Sequence, residues 1–229
     1  MCTPGYLLFS GGSLAGKYYL RQFHLHWGEA DSTGSEHTLD RVHYPMEAHF
    51  VHFLEGYDET NVGKVKGAIV VVAVMLQVDN KEDALQSLED AIAATNSSDS
   101  EKIFTVRDSP MNFTDKKIEL QEYSPSVMLP NDTTTFFRYE GSLTTPPCTE
   151  GVIWIVLAEP KNVLEEELNF LRQHVTTEGK RLGHNFREVQ PLNGRTVYLN
   201  RMGNSGAFPT TIVVYLAIVI MAYYKLYAS

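Results

Sequence analysis

The sequence has few basic residues and no cluster of them. Its 229 residues include 19 lysines and arginines against 28 aspartates and glutamates, which gives a formal net charge of −9. Phosphate binding requires clustered Lys and Arg side chains, so this composition argues against a nucleic-acid-binding surface. The chain also lacks internal repeats and the composition of disordered, collagen-like or coiled-coil proteins. Its hydrophobic content of 43% predicts one globular domain.

A secretory signal is also missing from the first residues of the chain. Residues 1–8 have no basic start, no long apolar stretch and no small-residue cleavage site. Other features are nonetheless typical of secreted proteins. Acceptor sequons for N-glycosylation begin at Asn96, Asn112 and Asn131, each in a polar stretch where a glycan would meet solvent.

The C-terminal end lacks charge over a long run. No residue from Met202 to Tyr224 is charged, and residues 212–224 are apolar. This run predicts membrane attachment, in one of two forms. A cleaved glycolipid-anchor (GPI) signal needs about 10–20 apolar residues after a small-residue site, which residues 204–207 supply. A single spanning helix needs ~20 apolar residues and stays open as the second form. We expect a cell-surface protein with the anchor signal at 203–229.

The hydrophobic pattern predicts a domain dominated by β-strands. Period-two alternation indicates strands at residues 20–27 and 46–53, and valine-rich runs indicate buried strands at 66–78 and 151–157. Helical periodicity indicates helices at 81–94 and 162–172, the first with Asn80 as N-cap. The expected fold class is α+β, with a central sheet and a few peripheral helices.

Histidines on two of these strands indicate a metal site. His24 and His26 are two positions apart, so their side chains leave the same face of the predicted strand. A third histidine, His49 or His52, lies on another predicted strand. Three neutral imidazoles that leave one position open are typical of catalytic zinc. Without further context, the His24–His26 pair also fits two polar residues of an ordinary alternating strand.

Four segments of the chain resemble the signature segments of alpha-class carbonic anhydrases, in the order and at the intervals of that family. They are residues 22–28 (QFHLHWG), 34–38 (GSEHT), 47–52 (EAHFVH) and 141–148 (GSLTTPPC). The resemblance extends from about Ser10 to Arg201, with residues 1–9 unmatched and residues 10–202 forming the domain. It implies a twisted, mostly antiparallel sheet with Zn²⁺ at the base of a conical cleft. It also implies reversible hydration of carbon dioxide to bicarbonate and a proton, with sulfonamides and anions as inhibitors.

The resemblance also assigns a role to individual residues around the zinc. His24, His26 and His49 match the ligands, whereas His52 matches a position that is not a ligand, in agreement with strand alternation. Four residues match the groups that hydrogen-bond or support the ligand imidazoles, and they are Gln22, Glu47, His37 and Tyr139.

Catalytic and substrate-binding residues are implied in the same way. Thr144 matches the hydroxyl that accepts a hydrogen bond from hydroxide at the zinc and gives its own proton to the carboxylate matched by Glu36. The residues expected to form the pocket for carbon dioxide are Val51, Val71, Leu143, Thr145, Val152 and Trp154. An apolar wall suits a substrate that carries no charge and no hydrogen-bond donor.

The chain departs from the family pattern at its front. Family members have a further portion before the segment near Ser10, including a histidine that exports protons, and here no histidine precedes His24. We therefore expect an N-terminally truncated domain with slower proton export. Cys148 matches a half-cystine whose partner would lie in that portion, unless Cys2 takes its place. The alternative is an inactive or poorly folded fragment that acts at most as a binding module.

Overall fold

One mixed β-sheet dominates the computed structural model, which describes residues 8–9, 13–79, 84–85, 88, 125–173 and 181–201. Its strands are β1 (Leu8–Phe9), β2 (Tyr18–Trp27), β3 (Met46–Leu54), β4 (Ile69–Val78), β5 (Phe136–Ser142), β6 (Glu150–Leu157), β7 (Lys161–Val163) and β8 (Tyr198–Asn200). Helix α1 spans Glu165–Arg172, and 3₁₀ turns lie at Val62–Lys64 and Pro125–Met128. The sheet-dominated α+β class is confirmed.

The strands follow the order β1-β2-β3-β4-β6-β5-β8, and β7 lies beside β4. Strand β4 is parallel to β6 and to β7, and the other pairs are antiparallel. The mostly antiparallel sheet expected from the sequence is therefore confirmed. Strands β2, β3 and β4 are neighbours in space, which places residues 22–26 and 47–51 side by side.

Each face of the sheet carries an apolar cluster. Because strand side chains alternate, neighbouring residues such as Val70 and Val71 belong to two different apolar clusters. One cluster contains Phe23, Phe50 and Val70. The other contains Val71, Ala73 and Trp154, and Ala73 lies opposite His49 on the adjacent strand. Residues in register share a face, so the histidine site lies on the second face.

A β-bulge at Arg21 sets the orientation of the site residues in β2. Leu20 pairs with His52, but the next pair along the ladder is Gln22 with Val51, so Arg21 is an extra residue. Leu20 and Gln22 consequently face opposite sides of the sheet although they are two positions apart. The bulge places Gln22 and the alternate residues that follow it on the face of His49.

Helix α1 begins later than the sequence predicts. Residues 161–163 form strand β7 beside β4, where Gln77 Nε2 donates to Asn162 Oδ1 at 2.9 Å. The helix starts only after Leu164, whose N–H donates to the Glu167 carboxylate at 3.0 Å. The predicted start at residue 162 is wrong because residues 161–163 pair with β4 as a strand.

Two other predictions fall on residues of which little or nothing is described. The helix at 81–94 is described only at residues 84–85 and 88, and the C-terminal run at 203–229 lies outside the described residues. Among the residues that are described, no helix is both long enough and apolar enough to cross a membrane.

Candidate metal centre

Three histidines of β2 and β3 converge on one point. His24 lies directly opposite His49 in the ladder, and His26 follows His24 on the same face. The ring centroids are separated by 4.9 Å for His24 and His26, 5.2 Å for His24 and His49, and 4.6 Å for His26 and His49. One nitrogen of each ring lies within 4.8 Å of the other two. His52 faces the other side of the sheet, where its Nδ1 lies 2.8 Å from the Phe50 carbonyl.

The other nitrogen of each ring is held by an oxygen. The pairs are His24 Nδ1 with Gln22 Oε1 at 2.7 Å, His26 Nδ1 with the Asn185 carbonyl at 2.9 Å, and His49 Nε2 with Glu47 Oε1 at 2.6 Å. Each oxygen accepts, so the proton of each neutral ring sits on the engaged nitrogen. The lone pairs on Nε2 of His24, Nε2 of His26 and Nδ1 of His49 therefore face one another.

This donor set fits a cation. Nε2 of His26 and Nδ1 of His49 are 3.1 Å apart, and two lone pairs at that distance repel each other unless a positive charge lies between them. Burial lowers the pKa of His24 and of His26, and the neighbouring histidines lower both further, so neither ring carries a second proton near neutral pH. Three imidazole nitrogens as donors suit zinc among the divalent metals.

A buried carboxylate oxygen of Glu36 lies close to two of the ring nitrogens. Among the described residues, Glu36 Oε2 has no hydrogen-bond partner, and it lies 3.5 Å from His26 Nε2 and 3.9 Å from His49 Nδ1. An unpaired buried oxygen is costly unless a cation or a proton donor is close to it. Its position next to two free ring nitrogens therefore also favours a bound cation.

Glu47 organises the protein side of the site. Its Oε1 accepts from His49 Nε2 and from His37 Nδ1, both at 2.6 Å. Its Oε2 accepts the main-chain N–H groups of Glu36 at 2.8 Å and His37 at 2.9 Å. Burial opposes ionisation of Glu47, but His37 and His49 outweigh burial and hold its pKa well below the usual range.

His37 and Tyr139 extend this network away from the ligands. The Tyr139 hydroxyl lies 2.6 Å from His37 Nε2. Burial alone would lower the pKa of His37, yet the Glu47 carboxylate raises it. Burial also raises the pKa of the Tyr139 phenol, so this hydroxyl keeps its proton. The four residues expected to support the ligands are thus joined to them by hydrogen bonds.

Of the expected proton relay, the described residues show an available oxygen on Glu36 but no hydrogen bond from Thr144. Glu36 Oε1 accepts the main-chain N–H of Arg187 at 2.8 Å, which leaves Oε2 available. Thr144 lies partly buried in the segment after β5, and no hydrogen bond joins it to Glu36 among the described residues. Thr145, next to it, is exposed.

Cys148 of the same segment forms no disulfide with a described residue.

The apolar residues expected to form the pocket lie together on the metal-site face. Val51, Val71, Val152 and Trp154 are buried in one cluster, and Leu143 packs against it. The Trp154 ring lies 4.8 Å from the His49 ring, and its Nε1 donates to the Ser142 carbonyl at 3.0 Å. Thr145 is the expected pocket residue that does not join them.

The sequence analysis missed two residues of an irregular segment that position the site. Asn185 accepts from His26 through its main chain, and its side chain clamps β2 by accepting the Trp27 N–H at 2.7 Å and donating to the Leu25 carbonyl at 2.9 Å. Arg187 orients Glu36 through its main-chain N–H. The contacts to His26 and Glu36 come from main-chain atoms and leave no pattern of residue types. The side-chain contacts of Asn185 depend on its residue type, but a single asparagine outside the predicted strands and helices does not indicate them.

Comparison with known proteins gives one consistent family. The model of the eukaryotic-type carbonic anhydrase family matches residues 5–201. The chain is 40% identical to putative carbonic anhydrase 5 of Caenorhabditis elegans, over 92% of this chain and 66% of the relative. It is 33% identical to carbonic anhydrase 3 of Homo sapiens, over 83% of this chain and 68% of the relative. The chain thus spans about two thirds of the length of these relatives.

Proposed function

The chain belongs to the eukaryotic-type carbonic anhydrase family, and we propose that it is a zinc enzyme that reversibly hydrates carbon dioxide to bicarbonate and a proton. The observation that carries this proposal is the convergence of three ring lone pairs, each fixed by an acceptor on the opposite ring nitrogen. An inactive binding module would not need three neutral imidazoles in this arrangement.

His24, His26 and His49 would hold the metal. When bound, zinc supplies a Lewis acid that lowers the pKa of a coordinated water to about 7. The protein's part is to keep the three imidazoles neutral and oriented, because metal ligands must be deprotonated at the coordinating atom. The oxygens of Gln22 and Glu47 do this by holding a proton on the opposite nitrogen of their histidines.

Glu36 and Thr144 would control a proton beside the metal. Glu36 Oε2 is buried and has no partner among the residues that the structure describes, so it would accept a hydrogen bond from the Thr144 hydroxyl. If the Thr144 hydroxyl donates its hydrogen bond to Glu36, its Oγ1 could only accept a hydrogen bond from the reacting group. The reacting group would therefore have to be one that still carries a hydrogen. The same selection would favour sulfonamides bound as anions, which keep one proton on nitrogen.

Carbon dioxide would bind against the apolar residues next to the histidines. Val51 lies opposite Gln22 on one side and Val71 on the other, and Val71 in turn lies opposite Trp154. The side chains of Val51 and Val71 carry no hydrogen-bonding group, which suits an uncharged linear substrate. We place Leu143 and Val152 in the same wall because they pack in the same cluster.

The experiment compares the purified chain before and after zinc removal. We expect about one zinc per chain and carbon dioxide hydration in stopped-flow assays. Activity should disappear on chelation, return with zinc, and be blocked by an unsubstituted sulfonamide. A chain that holds zinc stoichiometrically but does not hydrate carbon dioxide would contradict the proposed activity, and a folded chain that holds no zinc would contradict the proposed metal site.

We also propose that the C-terminal apolar run attaches the protein to the cell surface, with a GPI anchor favoured over a spanning helix. The run at 212–224 and the small residues before it support this, and the exposed Asn131 is a suitable glycan acceptor. Treating expressing cells with a phospholipase that cleaves GPI anchors should release the protein. Retention after treatment would favour the helix, and recovery without membranes would contradict both forms.

A further inference from the structure

Arg195 lies at the outer end of the hydrogen-bonded chain that leads to His49. Its guanidinium carbon is 5.4 Å from the centre of the Tyr139 ring, which is within the range of a cation–π contact. Two carbonyls hold the guanidinium in place, because Nε donates to Leu192 at 2.9 Å and an Nη donates to Pro191 at 2.8 Å. The cation is therefore fixed over the ring by its own segment of the chain.

Gly141 leaves the space in which the Arg195 guanidinium approaches the Tyr139 ring. A Cβ at that position would lie 2.8 Å from the Tyr139 ring, 3.2 Å from Arg195 Nη1 and 3.2 Å from the Trp154 ring. The Tyr139 ring also stacks on Trp154, with the planes 7° apart and the centroids 6.2 Å apart. Tyr139 is thus held between a fixed cation and a buried indole, and its hydroxyl has little freedom to move.

From Tyr139 the path to the metal site consists of three short hydrogen bonds. They join the Tyr139 hydroxyl to His37 Nε2, His37 Nδ1 to Glu47 Oε1, and Glu47 Oε1 to His49 Nε2, each at 2.6 Å. We propose that Arg195 is a positioning residue, which fixes the His49 imidazole through this chain. The inference rests on the proposed function, in which His49 is a zinc ligand.

The expected effect on zinc dissociation depends on the number of residues that lie between Arg195 and His49. Removing a group that hydrogen-bonds a metal ligand directly typically weakens metal binding by about 10–100-fold. Arg195 acts through three intermediates, so we expect Arg195→Met to raise the zinc dissociation rate about three- to tenfold, below the effect of a direct partner. The zinc dissociation rate of Arg195→Lys should lie between those of the parent and of Arg195→Met, because lysine keeps the charge but not the planar fork that binds both carbonyls.

The test is a double-mutant cycle with Tyr139→Phe, which keeps the ring but removes the hydroxyl that contacts His37. Zinc dissociation is followed by transfer to a chromogenic chelator. If Arg195 acts through the hydroxyl, Arg195→Met raises the rate in the parent and has no further effect in the Tyr139→Phe background. Arg201→Met, an exposed arginine of the same segment, is the matched control and should leave the rate unchanged.

Equal effects of Arg195→Met in both backgrounds would overturn the inference, since they would indicate general destabilisation. An unchanged rate in the parent would overturn it as well. If Arg195→Met fails to fold, Arg195→Lys is used in the same cycle with the same criteria. Either negative result, in a parent that binds zinc and hydrates carbon dioxide, leaves the proposed function intact, so the two failures are distinguishable.

Discussion

Ala73 lies directly opposite His49 in the β3–β4 pair, and no part of it is exposed. Directly opposed residues of an antiparallel pair have Cβ atoms about 4.5–5.5 Å apart. Ala73 therefore leaves room for the imidazole beside it, and Trp154 borders the same ring at 4.8 Å. A larger side chain at position 73 would compete for the volume that His49 occupies.

Replacing Ala73 by valine should displace His49 and weaken zinc binding. Ala48 is equally buried but belongs to the cluster on the other face, so Ala48→Val is a matched control. Both substitutions should lower the free energy of unfolding by about 1–3 kcal/mol, as overpacking does. Zinc affinity measured by competition with a chelator should fall only for Ala73→Val. Equal zinc affinities would contradict the packing role of Ala73.

The choice of His49 over His52 as the third ligand is tested by alanine substitution. His49→Ala should abolish stoichiometric zinc, as should His24→Ala and His26→Ala, because two imidazoles rarely retain a catalytic ion. His52→Ala should retain zinc, since its ring lies on the opposite face of the sheet. Metal analysis of purified variants decides the assignment. Zinc retained by His49→Ala but lost by His52→Ala would reverse it.

His52 should make the fold sensitive to acid. Burial lowers its pKa from 6.5 to about 4. The unfolded chain therefore binds more protons here than the folded one, and the free energy of unfolding falls as pH drops from the unfolded pKa towards the folded one. The loss from this group should be roughly 2 kcal/mol between about pH 7.5 and about pH 5.

Urea unfolding of His52→Leu at both pH values measures this contribution. The variant should lose about 2 kcal/mol less stability than the parent on acidification, because leucine cannot bind a proton. Acidification that destabilises the two proteins to the same extent would show that His52 keeps an ordinary pKa.

Asn185→Ala should loosen β2 at the metal site. The substitution removes the side-chain bonds to the Trp27 N–H and the Leu25 carbonyl and leaves both main-chain groups without that partner. We expect a loss of about 2 kcal/mol or more in the free energy of unfolding. Zinc affinity should fall about tenfold, because His26 loses the fixed position of its acceptor. Gln190→Ala, at an exposed position of the same segment, is the control.

The sequence predicted those parts of the fold that have a strong apolar pattern. Strands β2, β3, β4 and β6 were identified within a few residues because each carries alternating or valine-rich residues. Strand β5 was missed because most of its residues are only partly buried, so its pattern is weak. The three-residue strands β7 and β8 are too short for periodicity to appear, and β7 was absorbed into the predicted helix.

The same division holds at the site. Alternation alone grouped His24 with His26 and separated His49 from His52, since side-chain direction on a strand follows from position. The partners of Glu36 and His26 could not be found in this way, because Arg187 and Asn185 contribute main-chain atoms that every residue possesses. The roles of Thr144 and Glu36 in catalysis stay predictions.

The hydrogen bond between His26 and Asn185 spans 159 positions of the chain, and this has a consequence for biosynthesis. All three histidines precede Asn185 by more than a hundred positions, so they are translated well before the acceptor that orients one of them. A growing chain on the ribosome therefore displays the metal-binding side chains long before it can fix their geometry. Tight metal uptake must follow translation of nearly the whole domain, so metal loading would mark the completed fold.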